Sequence, residues 1–456
     1  MRDCSTFVCM KKVLFFIVSL FFTAIVKSQT VYDLNTCISR ALENNISLKQ
    51  SALNLRNQEQ EVLRNKGQVL PSLNGFASHS YNWGQRIDPF TNQFANSRVR
   101  SNSFSINTSF TLFQGFQVQN QIKKSIIDYR ISQLNVEETK NNIVLQVASM
   151  YLQVLLDKET VKSVSKQQEI TTKQLEQTLK MKKAGQATDA DVSNLQSQLA
   201  NEQLNLVNAQ NRLQVDLLSL KQLLLLDTLQ DFDVETPEIS DDDLPKLTLS
   251  AEEIYAMALS KMPQIKKAEL QIESSQKSYY IAKGSYYPTL SLSGSWGTGY
   301  SGLRKELTPE GQVQTIPFTE QFTDNLNQNI GLNLSVPIFN RFATRTSVSQ
   351  SLIGIENSKL NYEQAKQQLR KDIFQAYTDA QSAWKKYEAT KTAFISAETA
   401  YLFNEKKFQN GLINFTEFST SKNNYQIAEL NYIQAKYEYL FKMKVLDFYY
   451  GTPISL

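Results

Sequence analysis

Apolar and polar positions along this chain follow two periods. From Gln117 to Ala184 the apolar residues recur at helical spacing, with no Gly or Pro to interrupt them. One helix is predicted there, roughly 100 Å long at about 1.5 Å per residue. Gly185 ends it, and a second helical run begins at once. Ahead of the long helix the period shortens to two. Phe104, Ile106, Thr108, Phe110 and Leu112 alternate with Ser105, Asn107, Ser109 and Thr111. After Pro71 the odd positions carry Leu73, Ala77, Tyr81 and Trp83, and Ser72, Asn74, Ser78, Ser80 and Asn82 fill most even ones. Leu290, Leu292, Trp296 and Tyr300 alternate with Ser291, Ser293, Ser295, Gly297 and Gly299. Ile330, Leu332, Leu334, Val336 and Ile338 alternate with Gly331, Asn333 and Ser335. Runs of about ten residues, apolar against small-polar and with aromatics toward one end, are the pattern of membrane barrel strands. A half-buried soluble sheet also alternates; four such runs in matching register favour the membrane.

The plan occurs twice. Phe113-Gln114-Gly115-Phe116 returns as Phe339-Asn340-Arg341-Phe342, and the break at Gly185 returns at Gly411, both 226 positions on. Nearer the N-terminus the offset is 217: Ala41-Leu42 matches Ala258-Leu259, and the helix stop Gly67 to Leu73 matches Gly284 to Leu290. The loops Gly84–Arg100 and Ser301–Gln328 absorb the difference and are expected as exposed tips. A duplicated unit of strand pair, very long helix, tight break and returning helix follows. The predicted first repeat is 29–230, with strands 71–84 and 101–113, long helix 117–184 and return helix 188–228. The second is 249–456, with strands 288–300 and 329–339, long helix 343–410 and return helix 414–449. The acidic stretch 231–248 is expected as an ordered or partly ordered linker on the outside, not as a metal site. Short helices open each half, one at Asp33 and one capped by Ser250 and Glu253.

The N-terminus reads as a secretory signal over 1–28. Lys11 and Lys12 precede an apolar run from Val13 to Val26, and Met10 is a candidate start. That run is short for a spanning helix. Cys4 and Cys9 fall before it, which leaves Cys37 alone in the mature chain and excludes a disulfide framework. A net charge of +4, evenly spread, argues against a nucleic-acid surface. The lone His79 has no ligand cluster beside it, so no metal site is expected. No phosphate loop and no set of nucleophile, base and orienting group is found, so neither an enzyme nor a cofactor is expected.

Four strands cannot close a barrel, and an open edge cannot face lipid with its backbone groups unpaired. The chain is therefore expected to oligomerise. Two copies would give eight strands and a filled interior, three would give twelve and a lumen. Small inward residues favour the lumen. Val147, Met150, Tyr151 and Val154, with Ile373, Ala376, Tyr377 and Ala380, are seams for helix packing. The expected fold class is a mixed α/β membrane protein. The competing reading is a structural or adhesive envelope protein with long helical stalks; the paired strands count against it.

On these motifs the chain resembles the TolC-like outer membrane efflux proteins from Asp33 to about Tyr450. The resemblance implies a homotrimer with a twelve-stranded barrel in the outer membrane of a diderm bacterium. It also implies a long periplasmic α-helical tunnel below that barrel. It implies a passive exit duct of an efflux or type I secretion system, in contact with outer membrane lipid, a periplasmic adaptor (membrane fusion) protein and an inner membrane transporter. The family's closed end lies at the helix breaks, where a carboxylate six residues after the glycine lines or secures it. The matching positions are Asp191 and Glu417. Thr188 with Asp191, and Asn414 with Glu417, also read as capping pairs, so capping alone and capping with gating both stand. Gly185, Gly411 and Leu412 are the implied adaptor contacts. The pattern departs from the family at Asn194 and Thr420, where a second acid is expected, so the acidic ring would be weaker. Three copies of Glu417 about 8 Å apart would repel by roughly 0.5 to 2 kcal/mol per pair.

Overall fold

A computed structural model describes residues 30–87, 94–227, 231–237, 239–242 and 244–452. The expected signal segment lies outside them. In chain order the elements begin with β1 (Thr30–Tyr32), α1 (Leu34–Asn44) and α2 (Ile46–Gly67). Then come β2 (Ser72–Ile87), β3 (Phe94–Gln114), α3 (Gln117–Lys183), α4 (Asp189–Leu223) and β4 (Phe232–Val234). The later part has α5 (Ala251–Lys261), α6 (Pro263–Gly284), β5 (Thr289–Ser301), β6 (Lys305–Leu307) and β7 (Val313–Thr315). It closes with α7 (Phe318–Asp324), β8 (Asn327–Ser335), α8 (Ala343–Gln409) and α9 (Phe415–Tyr450). Among the described residues no helix is long and apolar enough to cross a membrane.

The chain divides into two compact units, and α3 and α8 contribute to both. One unit comprises residues 46–140 and 255–372 and holds a four-stranded antiparallel sheet in the order β2-β3-β5-β8. Its register sets Leu73 beside Thr108, Ile106 beside Trp296, and Leu292 beside Leu332, so the apolar positions share one face. Ser78, Ser103 and Gly299 run across the other, with Ser293 and Gly331 further along it. Cross-strand hydroxyls bond there, Ser78 to Ser103 at 2.7 Å and Ser80 to Ser101 at 2.8 Å.

The strands differ from expectation at their ends. The β2–β3 ladder continues to the pair Ile87–Phe94, so most of the expected loop from Gly84 to Arg100 is strand. A ladder needs only backbone groups, and the polar side chains beyond Trp83 hide the alternation. β8 stops at Ser335, short of the expected 339, because Pro337 has no N–H to donate. The expected loop from Ser301 to Gln328 is also largely folded. It contains the β6–β7 hairpin and α7, whose Phe318 and Phe322 rings pack on Phe104.

At the foot of the sheet Gly115 turns the chain from β3 into α3 with φ +56°. A Cβ added to Gly115 would lie 2.2 Å from the Gly284 carbonyl oxygen, so a backbone crossing requires the bare glycine. The corresponding turn before α8 uses Arg341 and Phe342, both left-handed at φ +56° and +63°.

The other unit comprises residues up to 45, 141–254 and 373–456. Its core holds Cys37, Ala41, Val147, Val154 and Leu155, all buried. The buried Tyr151 hydroxyl donates to the Glu235 carbonyl at 2.8 Å. Burial, with the Asp33 charge second, pushes the Cys37 thiol up to about 12, so it stays protonated. Within the acidic stretch 231–248 the described residues are ordered. β4 pairs in parallel with β1, and Val234 and Leu244 are buried. Asp241 meets Lys391 at 2.8 Å, Lys436 at 3.0 Å and the Tyr432 hydroxyl at 2.6 Å. Partial burial raises the Asp241 carboxyl, but those donors outweigh it and hold it well below the usual range. The return helix α4 ends at Leu223 rather than 228, because Leu225 takes a left-handed φ of +51°. A leucine there gives no stop signal in the sequence.

The helix-break end as the candidate functional site

Each long helix ends in the same backbone turn. At the first break Gly185 has φ +72°, its N–H donates to the Lys182 carbonyl, and the Gln186 N–H reaches back to Met181 at 2.9 Å. At the second break Gly411 has φ +70°, its N–H donates to Phe408, and the Leu412 N–H reaches Lys407 at 2.9 Å. This six-to-one, five-to-two pairing satisfies the last carbonyls of the helix. An apolar residue at the position of Leu412 usually folds back on its helix. Here Leu412 is 73% exposed.

The caps of the returning helices differ. Thr188 and Asp191 form a complete capping box: the Asp191 N–H donates to the Thr188 hydroxyl oxygen at 3.2 Å, and the Thr188 N–H donates to the carboxylate at 2.9 Å. Thr188 also donates its hydroxyl to the same carboxylate oxygen at 2.6 Å. Asp189, the first residue of α4, pairs with Lys182 across the break. At the second break the Glu417 N–H donates to Asn414 at 2.9 Å, but the Glu417 carboxylate receives only a 3.4 Å contact from the Asn414 amide. Glu417 is exposed and its charge is largely unspent. Among the described residues no hydrogen bond joins Asp191 to Glu417; the two sit in separate turns.

Behind the second break lies an aromatic column that the sequence reading missed. Tyr387, Phe394, Tyr401 and Phe408 recur every seven residues on α8, and Phe418, Tyr425, Tyr432 and Tyr439 do so on α9. The rings interleave. Phe408 stacks on Phe418 at 4.7 Å, Tyr401 on Tyr425 at 5.2 Å, and Phe394 on Tyr432 at 5.1 Å. A seven-residue repeat is the seam of two helices in coiled-coil contact, and the spacing alone could have revealed it.

A buried polar seam runs beside the column and ties α9 to α3 and α4. Lys422 has a relative exposure of 0% and pairs with Glu202 at 3.2 Å. The Thr171 hydroxyl accepts from Lys422 and donates to Glu202. Glu202 also accepts from the Gln426 amide at 3.1 Å and from the Gln198 amide at 3.2 Å. Burial pulls the Lys422 ammonium below its ordinary range, while Glu202 opposes that pull. Farther from the break, Glu429 accepts from Ser163 at 2.6 Å and from Gln167 at 3.1 Å. Lys422 stands four residues after Phe418 and three before Tyr425, so a charge inside an aromatic seam was the available signal.

Strand pairs with apolar and small-polar faces, helices of 67 residues and paired tight breaks are now in place. The sequence matches the outer membrane efflux protein family over residues 37–224 and 254–452. The chain belongs to that family. Efflux-family relatives include "Toxin and drug export protein A" of Aggregatibacter actinomycetemcomitans, 20% identical over 89% of this chain and 83% of that protein. "Outer membrane protein TolC" of Escherichia coli K12 is 21% identical over 97% of this chain and 87% of its own length. Solved structures carry the same fold. A CusC crystal structure superposes with a TM-score of 0.78 at 18% identity, covering 94% of this chain and 93% of that one. VceC of Vibrio cholerae superposes at 0.76 and 15% identity, covering 92% and 96%. The efflux family's outer membrane location applies to this chain.

Proposed function

We propose that this chain is the outer membrane exit duct of a tripartite efflux or type I secretion system. It assembles as a homotrimer. Each copy gives four strands to a twelve-stranded barrel in outer membrane lipid, and its long helices build an α-helical barrel in the periplasm. Two repeats, 29–230 and 249–456, build each copy, with 231–248 fastened between them. The duct is passive and carries out no enzymatic step. Its helix-break end meets a periplasmic adaptor, which links it to an inner membrane transporter. Gly185, Gly411 and the exposed Leu412 are the contact residues. The observation that carries this reading is a family match spanning both halves of a chain whose sheet, among the described residues, leaves two edges unpaired.

In this reading Asp191 and Glu417 hold the closed end in unequal parts, which their different hydrogen bonding supports. Asp191 is committed to its capping box, so it mainly fixes the turn. Glu417 keeps a free charge and supplies the repulsion between copies. Single-channel conductance in a planar bilayer, wild type against Asp191→Ala/Glu417→Ala, tests this. Small steady openings that grow in the double variant are expected. Openings left unchanged would reduce both carboxylates to caps, and folded protein that never inserts would overturn the duct itself.

A further inference from the structure

The apolar face of the sheet changes character toward the strand tips. Gly75, Ile106 and Trp296 share one row across β2, β3 and β5, and Ala77, Phe104 and Thr298 the next. The following rows hold His79, Asn102 and Tyr300, then Tyr81 with Arg100, then Trp83 with Arg98. So an apolar zone gives way to aromatics and then to two guanidiniums. α7 lies across this face. Its Phe322 ring is 5.8 Å from Phe104 and its Phe318 ring 5.6 Å from Tyr300. Hydrogen bonds hold it down: Thr298 donates to the Phe322 carbonyl at 2.6 Å, Gln321 donates to the Ser301 carbonyl at 3.0 Å, and the Ser301 N–H donates to the Gln321 side-chain oxygen at 3.0 Å. The helix is thus fixed, yet it does not fill the space beneath it. A cavity of about 370 Å³ remains, lined by Phe104, Ile106, Trp296, Thr298, Phe322 and Leu326.

Both arginines are exposed and lie over rings, the Arg98 guanidinium 5.3 Å from the Tyr81 ring centre and that of Arg100 4.8 Å from the Tyr300 ring centre. The rings fix each guanidinium; the Tyr300 hydroxyl, and to a lesser extent that of Tyr81, takes part of the Arg100 donor edge, and the five N–H donors of each arginine leave others for a ligand. Among the described residues neither forms an ion pair. Arg100 lies four residues from Phe104, about 13 Å at 3.3 Å per residue. Unpaired positive groups at that distance from an apolar cavity suit a ligand with an anionic head and a hydrocarbon tail. Ile106 and Trp296, which line the cavity, share the sheet face that continues as Leu292, Leu332 and Ile330, the face the barrel reading turns toward lipid.

We infer that Arg98, Arg100 and the cavity beneath α7 form a binding site for a phosphate-bearing glycolipid of the outer leaflet. The phosphate meets the two guanidiniums and one acyl chain enters the cavity. This rests on the barrel reading, which puts the strand tips at the outer surface.

Native mass spectrometry of the full-length protein released from detergent tests it, with lipid A as the probe. Wild type is expected to retain lipid A more strongly than its dephosphorylated form. Arg98→Gln/Arg100→Gln is expected to weaken retention about tenfold or more, and Arg98→Lys/Arg100→Lys to restore part of it. Ile106→Trp, which fills the cavity and keeps both charges, is expected to weaken it as well. Equal retention by all variants, or by both lipid forms, overturns the site. Displacement of lipid A by millimolar inorganic phosphate alone would show an ion site without a tail pocket and also overturns it. The same preparations are tested for insertion into planar bilayers. Failure to insert removes the barrel reading and this inference together, whereas normal insertion with unselective lipid retention removes only the inference.

Discussion

Gly115 shows how one residue can carry a junction. Its left-handed φ would cost any L side chain about 1 kcal/mol, and the Gly284 carbonyl closes the space a Cβ needs. Gly185 has the same hand of backbone but nothing within 4 Å of an added Cβ. Gly115→Ala is therefore expected to cost about 3 kcal/mol or more, and Gly185→Ala about 1. Thermal unfolding followed by circular dichroism orders the two. Asp157 supplies a residue-scale prediction in pH. It is buried, its Oδ2 has no donor, and Asp216 stands against it. Burial first, then Asp216, pushes its carboxyl from 3.8 up to about 7, although Arg212 at 3.3 Å pulls the other way. A carboxyl raised in the folded state binds its proton more tightly there. Its stabilising contribution is full below about 3.8 and is lost as pH rises through about 7. Asp157→Asn should keep that contribution, making the variant about 1 to 3 kcal/mol more stable than wild type at pH 8 and equal to it at pH 4. Melting curves at the two pH values check it, and a difference independent of pH would contradict the assignment.

At the scale of elements, the parts legible in the sequence were those with a strong local cause. The bare run from Gln117 to Ala184 predicts a helix because nothing in it can end one, and the structure ends it at Lys183. Thr188 and Asn414 cap the returning helices because their side chains can reach the N–H three residues on. What stayed hidden depends on partners distant in sequence. The short β1 pairs with β4 some two hundred residues away, and nothing local in either announces it. Asp241 looked like one acid in an acidic run until Lys391 and Lys436 were brought to it. The polar seam is the same kind of case, and it makes a prediction. Lys422→Ala would leave Glu202 buried without its cation and should cost about 3 to 5 kcal/mol. Lys422→Met/Glu202→Gln removes both charges together and should recover most of that loss, since Gln426, Gln198 and Thr171 still offer partners to an amide. A double-mutant cycle by thermal unfolding measures the coupling. Additive losses would show that the two charges do not stabilise one another.

For the whole molecule the sheet edges decide the assembly. β2 and β8 are the outer strands of the order β2-β3-β5-β8, and neither has a second neighbour among the described residues. Ile330 on β8 is 83% exposed, and Leu73 on β2 is 74% exposed. An edge of this length with apolar side chains is unstable in water and untenable in lipid, so in the proposed duct copies are expected to pair β2 with β8. That contact is head-to-tail, with different surfaces meeting, and it closes only as a ring. The number of copies then follows from what fills the ring. The other face carries mostly small residues, Ser78, Ser103, Ser293, Gly297, Gly299 and Gly331 among them, which suit a lumen better than a packed eight-stranded interior, so the proposed duct is expected to have three copies and twelve strands. Cysteine pairs placed across the edges count the ring directly, because Cys37 is buried and the remaining cysteines precede it at Cys4 and Cys9. Combining Asn74→Cys or Ser78→Cys on β2 with Asn329→Cys or Asn333→Cys on β8, then oxidising the protein in membranes, should give a denaturing-gel ladder of one, two and three chains. At least one of the four combinations should link, since the candidates span two turns of the pleat on each strand. A ladder that stops at two would mean a packed barrel without a lumen and remove the duct, whereas a ladder running past three would mean that the edges do not close.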